Sequence, residues 1–236
     1  VYFLAGGRAV DRQRFLVERS NFTRSAALAA AAGKALRRAG LSIEEVECFD
    51  LYSCFPCAVA IARRMLGVPD DDPRPLTLTG GLGFFGGPGN NYSLHAIATL
   101  CEAIAVGERE NGMVTALGWF LHKHAAGLYG AEPRSTDLGA QDAEDAEAFL
   151  AGDAPVAAAG EPSGVGTIET YTVVGNRDGA PEYAVVYGRT GSGARFVAQT
   201  VPDPAVFAEL TEHSQVGRRV RLRYERGTGR SRAELA

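Results

Sequence analysis

The chain has 236 residues, of which 46% are hydrophobic and 22% charged, and its formal net charge at pH 7 is −4. These values are ordinary for a globular protein and exclude a chain that is mostly disordered. The net charge provides no long-range attraction to nucleic acid or to an anionic membrane, and no apolar run approaches the ~20 residues of a membrane span. We therefore expect a cytoplasmic protein that binds neither nucleic acid nor membrane, with one large or two modest domains.

The first 130 residues carry alternating strand and helix patterns. A strand pattern opens the chain without a lead-in, which indicates a fragment, a processed product or half of something larger. The helical patterns lie at Ser25–Arg38, Phe55–Leu66 and Tyr92–Gly107, a strand pattern lies at Val46–Leu51, and a β-hairpin is predicted between Gly112 and Gly130. This alternation predicts an α/β domain over residues 1–130.

An acidic segment rich in proline, glycine and alanine follows at residues 131–163. Between Ala131 and Asp153 it has seven acidic residues and one arginine, which is typical of a linker, and one helix is predicted near Asp142–Ala151.

From Gly164 the apolar residues recur with period two. Four strands are predicted, at Gly166–Val174, Glu182–Tyr187, Ala194–Val201 and Arg218–Tyr224, with a short helix near Pro204–Leu210. This spacing is typical of a small barrel or sandwich, and we expect a small antiparallel barrel over residues 164–236. The arginine-rich tail is interpreted as a solvated face, with an anion-binding patch as the alternative.

Cysteine usage does not indicate a disulfide framework in a chain of this length. Cys54 and Cys57 form a C-x-x-C motif, which could serve a redox pair or half of a zinc site, but the sequence has no second C-x-x-C. We favour small buried side chains, with Cys54 near a pocket, and expect no metal site.

The run Gly80-Gly81-Leu82-Gly83-Phe84-Phe85-Gly86-Gly87-Pro88-Gly89 contains six glycines in ten residues. Each glycine adds ~0.5–1 kcal/mol of entropic cost in regular structure, so stability alone does not explain the run. We expect this backbone to approach a ligand closely or to adopt positive φ, and therefore to line a pocket.

Three stretches of the first 130 residues resemble the C-terminal half of a thiolase. Tyr52-Ser53-Cys54-Phe55 stands where thiolases have Asn-Glu-Ala-Phe and sterol-carrier-type thiolases have His-Asp-Cys-Phe. Gly80-Gly81 with Gly86-Gly87-Pro88 stands where the family has a Gly-Gly pair and then Gly-His-Pro, and Ala116-Leu117-Gly118 stands where it has Cys-x-Gly. Residues 164–236 are similar to the extra OB-like domain of certain thiolase-like proteins. The resemblance implies the second half of the thiolase fold, a mixed sheet with helices on both faces, followed by an OB-like barrel.

The residue types at the catalytic positions of the resemblance differ from those of thiolases. The activating histidine is replaced by Gly87, the second cysteine by Ala116, and the oxyanion-hole residue by Tyr52. Glycine and alanine carry no titratable group, so ordinary thiolase turnover by this chain is not expected.

The resemblance nevertheless implies a set of candidate site residues. Tyr52, His124 and His122 are the catalytic candidates, because a phenol or an imidazole can donate or accept a proton near the strand that bears Ala116. Alternatively, Tyr52 anchors a strand end, and His95 is interpreted as a structural side chain. The candidates for substrate binding are Gly80, Gly81, Gly86, Gly87, Asn90 and Cys54.

The expected function is that of an acyl-CoA-handling, acyltransferase-like protein of lipid metabolism. It would use a coenzyme A ester as substrate or ligand, hold no covalent cofactor, and act with a missing N-terminal thiolase half on the same or a separate chain. Homo- or hetero-oligomers are both compatible with the sequence. Two alternatives remain open: an aldolase-type lyase, and a non-catalytic module that binds CoA esters or supports assembly.

Overall fold

The computed structural model describes residues 1–13, 15–134 and 154–235. These residues divide into two compact units. The first comprises the described residues of Val1–Phe15 and Asn21–Asp153, and the second comprises those of Leu16–Ser20 and Ala154–Ala236. The helix predicted at Asp142–Ala151 lies outside the described residues. Among the described residues, no helix combines the length and apolar character that a membrane crossing requires.

The first unit is built on a four-stranded sheet. Its strands are β1 (Tyr2–Val10), β2 (Phe49–Asp50), β3 (Asn111–Gly118) and β4 (Lys123–Gly130), in the order β1-β4-β3-β2. β2 runs parallel to β3, whereas the other pairs are antiparallel, so the sheet is mixed as expected.

Helices cover both faces of this sheet, which confirms the predicted fold class. They are α1 (Ala26–Ala39), α2 (Pro56–Leu66) and α4 (Tyr92–Ala105). A four-residue helix, α3 (Leu82–Phe85), buries none of its residues. Ser25 caps α1 by accepting the amide hydrogen of Leu28, and Gly40 ends the helix in the left-handed conformation. The alanine-dense sequence of α1 lets the helix lie close to β1 and β4.

The core has one apolar layer on each face of the sheet. On the first face, residues of α1 and α2 pack against alternate strand residues: Leu28, Ala32, Ala62, Leu4, Phe49, Met113, Ala126 and Leu128. On the second face, one side of α4 packs against the intervening strand residues: Ala96, Leu100, Ile104, Cys48 and Val114. This alternation shows which face each strand side chain occupies.

The second unit is a closed five-stranded barrel. Its strands are β5 (Gly164–Gly175), β6 (Pro181–Thr190), β7 (Arg195–Gln199), β8 (Arg219–Glu225) and β9 (Arg230–Leu235), in the order β5-β6-β7-β9-β8. The chain also forms helix α5 (Pro204–Glu212) and a short 3₁₀ helix, Leu16–Glu18. Four of the strands were predicted.

The structure corrects the barrel prediction in two respects. The sequence did not predict β9, which lies in the arginine-rich tail and places buried Ala233 inward between Arg232 and Glu234. Arg219, Arg221 and Arg223 of the tail are exposed, in line with its interpretation as a solvated face. The barrel is also not wholly antiparallel, because β7 and β9 pair in parallel at Gln199 and Arg232.

An arginine is almost completely buried in the second unit. The guanidinium of Arg195 donates from Nε to Glu169 Oε2 at 2.6 Å, and from Nη1 to the carbonyl oxygen of Val17 at 3.1 Å and to that of Arg19. Arg189 donates to the other oxygen of Glu169 at 2.7 Å. Burial raises the pKa of Glu169, but the bonds from Arg195 and Arg189 outweigh it, so the pKa lies below its usual value.

Candidate functional site

The candidate site lies where β2 and β3 end. Because these strands are parallel neighbours, their carboxyl ends meet at one edge of the sheet, where ligands of open α/β sheets commonly bind. The chain leaves β2 through Tyr52, whose amide donates to Thr115 Oγ1 of β3 at 2.9 Å. This bond holds Tyr52 at the sheet edge.

A buried aspartate organises this edge. Asp50 is fully buried, and its carboxylate accepts hydrogen bonds from the Thr79 amide at 3.0 Å, the Thr79 hydroxyl at 2.9 Å and the Tyr92 hydroxyl at 2.8 Å. A carboxylate with three donors is well compensated for the loss of water. The network joins the end of β2, the residue before the glycine run and the first residue of α4.

Ser53 extends the network to the backbone of the glycine run. Its hydroxyl donates to Tyr92 Oη at 2.9 Å and accepts from the Leu82 amide at 2.9 Å. The Gly81 amide donates to Thr79 Oγ1 at 3.2 Å. The beginning of the glycine run is therefore fixed by side chains on three separate segments.

Positive φ explains several of the glycines. Gly81 has φ 101°, and Gly86 has φ 81° with ψ 165°, on either side of the four-residue helix α3. Residues with a Cβ rarely adopt these values. Positive φ was one of the two explanations that the sequence offered for the run, whereas α3 was not predicted.

Gly87 is required by close packing. A Cβ built at this position would lie 2.8 Å from Tyr92 Cβ, which is closer than real contacts allow. Gly87 occupies the position of the activating histidine in the thiolase pattern. Tyr92 therefore occupies space that a side chain at position 87 would need.

Tyr52 presents a phenol beside this network. Its half-buried ring packs edge-on against Tyr92, with centroids 5.3 Å apart and an interplanar angle of 88°. Burial, and secondarily Cys54, raises the pKa of Tyr52. The phenol stays protonated at neutral pH and can donate a hydrogen bond to a carbonyl or enolate oxygen.

Cys54 is disfavoured as a nucleophile at this edge. Burial raises the pKa of the Cys54 thiol, although backbone bonds oppose the effect, so the thiolate that would react is disfavoured. Cys54 and Cys57 are both free thiols. No group of three or more histidine, cysteine, aspartate or glutamate residues in the described part of the chain could hold a metal ion.

His124 lies on the face of the sheet covered by α1, and His122 is buried in the turn that precedes β4. His124, Ala126 and Leu128 are alternate residues of β4 and so point to the same face, where Ala126 and Leu128 pack toward α1. Ala116 pairs with Ala125, which points to the opposite face. The structure therefore does not bring His124 to the glycine run. A catalytic role for His122 or His124 remains a prediction that this placement does not support.

Serine, histidine and aspartate do meet on the face covered by α1, but not as a nucleophilic triad. Ser25 Oγ donates to Asp11 Oδ2 at 3.0 Å and lies 3.0 Å from His124 Nε2. Nε2 also lies 3.2 Å from the carbonyl oxygen of Leu121, which can only accept, so Nε2 carries the proton. The imidazole is therefore a donor to Ser25 and cannot remove its proton.

The remaining candidates flank the glycine run. Asn90 is exposed, and Asn91, at the N-cap position of α4, makes no side-chain capping bond. His95 Nδ1 lies 3.2 Å from the Gly86 carbonyl oxygen, and its ring packs against Phe85. His95 thus supports the end of the run, in line with its structural interpretation.

The sequence alone did not single out Asp50, Ser53, Thr79 or Tyr92 as site residues. Asp50 ends an apolar strand, and a charge in such a strand needs several buried partners. The need of Asp50 for buried partners was a signal in the sequence. The partners themselves, Thr79 and Tyr92, are 29 and 42 residues away from Asp50 along the chain.

Comparisons with known proteins agree with this arrangement. Residues 145–226 match the profile of the thiolase-like protein type 1 additional C-terminal domain. A crystal structure of a monomeric SCP2-thiolase-like protein type 1 from Mycobacterium smegmatis matches at 35% identity with a TM-score of 0.86, over 100% of this chain and 50% of that chain. This chain has a thiolase-like fold.

The thiolase-like chain spans half the length of that crystallised relative. No curated protein matches it. The resemblance noted in the sequence is thus confirmed at the level of fold.

Proposed function

We propose that this thiolase-like chain binds an acyl-CoA ester at the edge formed by Tyr52 and the glycine run. The observation that carries the proposal is the network of Asp50 and Tyr92, which fixes the glycine run at the carboxyl ends of two parallel strands. A buried network of this kind holds a backbone loop in one conformation, as a preorganised ligand site requires.

The donors at this edge suit a thioester carbonyl. Tyr52 presents a protonated hydroxyl, and glycines allow a ligand to approach the backbone closely. We propose that the ligand binds non-covalently and that no covalent cofactor takes part. We also propose that the protein acts in the cytoplasm, in lipid metabolism.

We further propose that a second thiolase-like half, on the same or a separate chain, completes the site. The support is that the matched relative is twice as long as the matched region. Homo- or hetero-oligomers are both compatible with this arrangement.

The same geometry argues against thiolase-type turnover. The position of the activating histidine is Gly87, which packs against Tyr92, and the position of the second cysteine is Ala116. Loss of one positioned general acid or base typically costs ~10²–10⁴-fold in rate, and both groups are absent here. We therefore propose a CoA-ester-binding protein rather than an acetyl-CoA acetyltransferase.

A lyase of the aldol type is the second candidate. It is favoured by Tyr52, because a phenol with a raised pKa can act as a general acid on an enolate oxygen without help from cysteine or histidine. A lyase would lose its turnover in Tyr52→Phe while still binding the CoA ester.

The test is a calorimetric titration of the full-length protein with acetoacetyl-CoA, repeated on Tyr52→Phe. We expect saturable binding that weakens in Tyr52→Phe and is unchanged in the control Tyr183→Phe, whose half-buried ring lies in the barrel. Absence of saturable binding by the wild type would refute the proposal.

A further inference from the structure

The turn between β3 and β4 holds two non-glycine residues in the left-handed region. Trp119 has φ 56° and Leu121 has φ 59°. Residues with a Cβ avoid this region, and they persist there only when their surroundings hold them. Backbone of this kind is concentrated at functional sites.

A buried chain of hydrogen bonds holds this turn. His124 Nε2 donates to the Leu121 carbonyl oxygen at 3.2 Å and lies 3.0 Å from Ser25 Oγ. Ser25 Oγ donates to Asp11 Oδ2 at 3.0 Å, and Asp11 Oδ1 accepts from the Ala27 amide at 3.0 Å. Since Asp11, Ser25 and His124 are all buried, the imidazole that supports the turn has a fixed orientation.

The turn carries a tryptophan at the edge of the sheet where the candidate site lies. Trp119 is 73% exposed, although burial of such a side chain is strongly favourable. Trp119 is the first residue after β3, which ends at Gly118. Ala116 and Tyr52 both lie at the carboxyl edge of the sheet, because Tyr52 is bonded to the neighbouring Thr115.

We propose that Asp11, Ser25 and His124 are positioning residues that hold the strained turn, and that Trp119 thereby contacts the bound acyl-CoA. The ligand contact rests on the proposed function, whereas the holding of the turn stands independently of it. His124 thus acts through the backbone of Leu121 rather than through proton transfer.

Trp119 is the single tryptophan of the 236-residue chain, so its fluorescence reports directly on the turn. We would measure the steady-state anisotropy and acrylamide quenching of the wild type, His124→Leu and His124→Gln, well below their melting temperatures. His124→Leu removes the donor to Leu121, whereas the amide nitrogen of glutamine can replace Nε2. We expect lower anisotropy and stronger quenching in His124→Leu, and recovery in His124→Gln.

Ser25→Ala provides the second variant if His124→Leu does not fold. Because Ser25 also caps α1, its matched control is Asp203→Ala, which removes the cap of α5 in the barrel. We expect Ser25→Ala to lower the anisotropy of Trp119 and Asp203→Ala to leave it unchanged. If His124→Leu folds and its Trp119 anisotropy equals that of the wild type, the positioning role is overturned. If His124→Leu does not fold, the same result in Ser25→Ala overturns it.

The ligand contact is tested with acetoacetyl-CoA on the full-length protein. We expect a change in Trp119 emission that follows the calorimetric binding curve, read against Trp119→Phe to remove the signal of any other tryptophan. Calorimetric binding without a change in Trp119 emission overturns the contact. Absence of calorimetric binding refutes the proposed function and with it the contact, whereas the anisotropy comparison still decides the positioning role.

Discussion

Tyr92 donates its hydroxyl hydrogen to the fully buried carboxylate of Asp50 over 2.8 Å. This bond joins the start of α4 to the end of β2, and the same Tyr92 packs against Gly87. Tyr92 therefore both fixes the glycine run and takes the space next to the position that thiolases use for a histidine. One side chain therefore both orders the glycine run and leaves no room for a side chain at position 87.

Tyr92→Phe should lower the free energy of unfolding by about 1–3 kcal/mol, because Asp50 loses a buried donor and Ser53 loses its acceptor. Chemical denaturation measures this change. Tyr129→Phe is the matched control, since Tyr129 is a half-buried tyrosine packed in the core cluster that includes α4. Equal destabilisation of the two variants would show that the network contributes nothing specific.

Gly86→Ala should destabilise the protein by about 1–3 kcal/mol, because φ 81° with ψ 165° is accessible essentially to glycine alone. Gly83→Ala is the control within the same run, since Gly83 has no positive φ and a Cβ there would meet no neighbour within 4 Å. Thermal melting of both variants tests the assignment. Equal melting temperatures of Gly86→Ala and Gly83→Ala would contradict the assignment of a glycine-only conformation to Gly86.

Installing the thiolase residues should not install the activity. Gly87→His forces a Cβ to within 2.8 Å of Tyr92 Cβ, so Tyr92 must move and the bond to Asp50 weakens. We expect the double variant Gly87→His/Ala116→Cys to be less stable than Ala116→Cys and to show no gain in acetoacetyl-CoA thiolysis. A thiolysis rate well above that of the wild type would mean that the fold accommodates the installed histidine and cysteine in working positions.

The barrel should show an acid-dependent stability that depends on Glu169. An unfolded glutamate binds its proton near pH ~4.3, whereas the bonds from Arg195 and Arg189 keep Glu169 charged to lower pH in the folded state. The stabilisation is therefore complete above the unfolded pKa and is lost as the pH falls through the folded pKa. Denaturation of the wild type and Glu169→Gln should differ most above about pH 5, and the difference should shrink below about pH 4. A difference that stays constant over that range would refute the ion-pair assignment.

The sequence predicted most of the helices and strands because their signals are local. The cap at Ser25, the left-handed Gly40 and the period-two strands can each be identified from a few neighbouring residues. β9 was missed because its arginines concealed the inward positions of Ala233 and Leu235.

The candidate site was only partly predictable. The glycine run indicated unusual backbone, and φ values confirm it at Gly80, Gly81 and Gly86. The network of Asp50, Thr79 and Tyr92 could not be predicted, because its members come from separate segments and meet only after the sheet and α4 have packed. The same applies to His124, whose face depends on the register of β4 against β3.

The most direct test of the central claim is a calorimetric titration of the full-length protein with acetoacetyl-CoA in the presence of free CoA. Binding alone gives heats that saturate, after which the baseline returns, whereas turnover gives a sustained displacement of the baseline. The arrangement of Tyr52, Gly87 and Tyr92 predicts saturable heat with a returning baseline. Either no saturable heat or a sustained displacement would contradict a CoA-ester-binding protein without thiolase turnover.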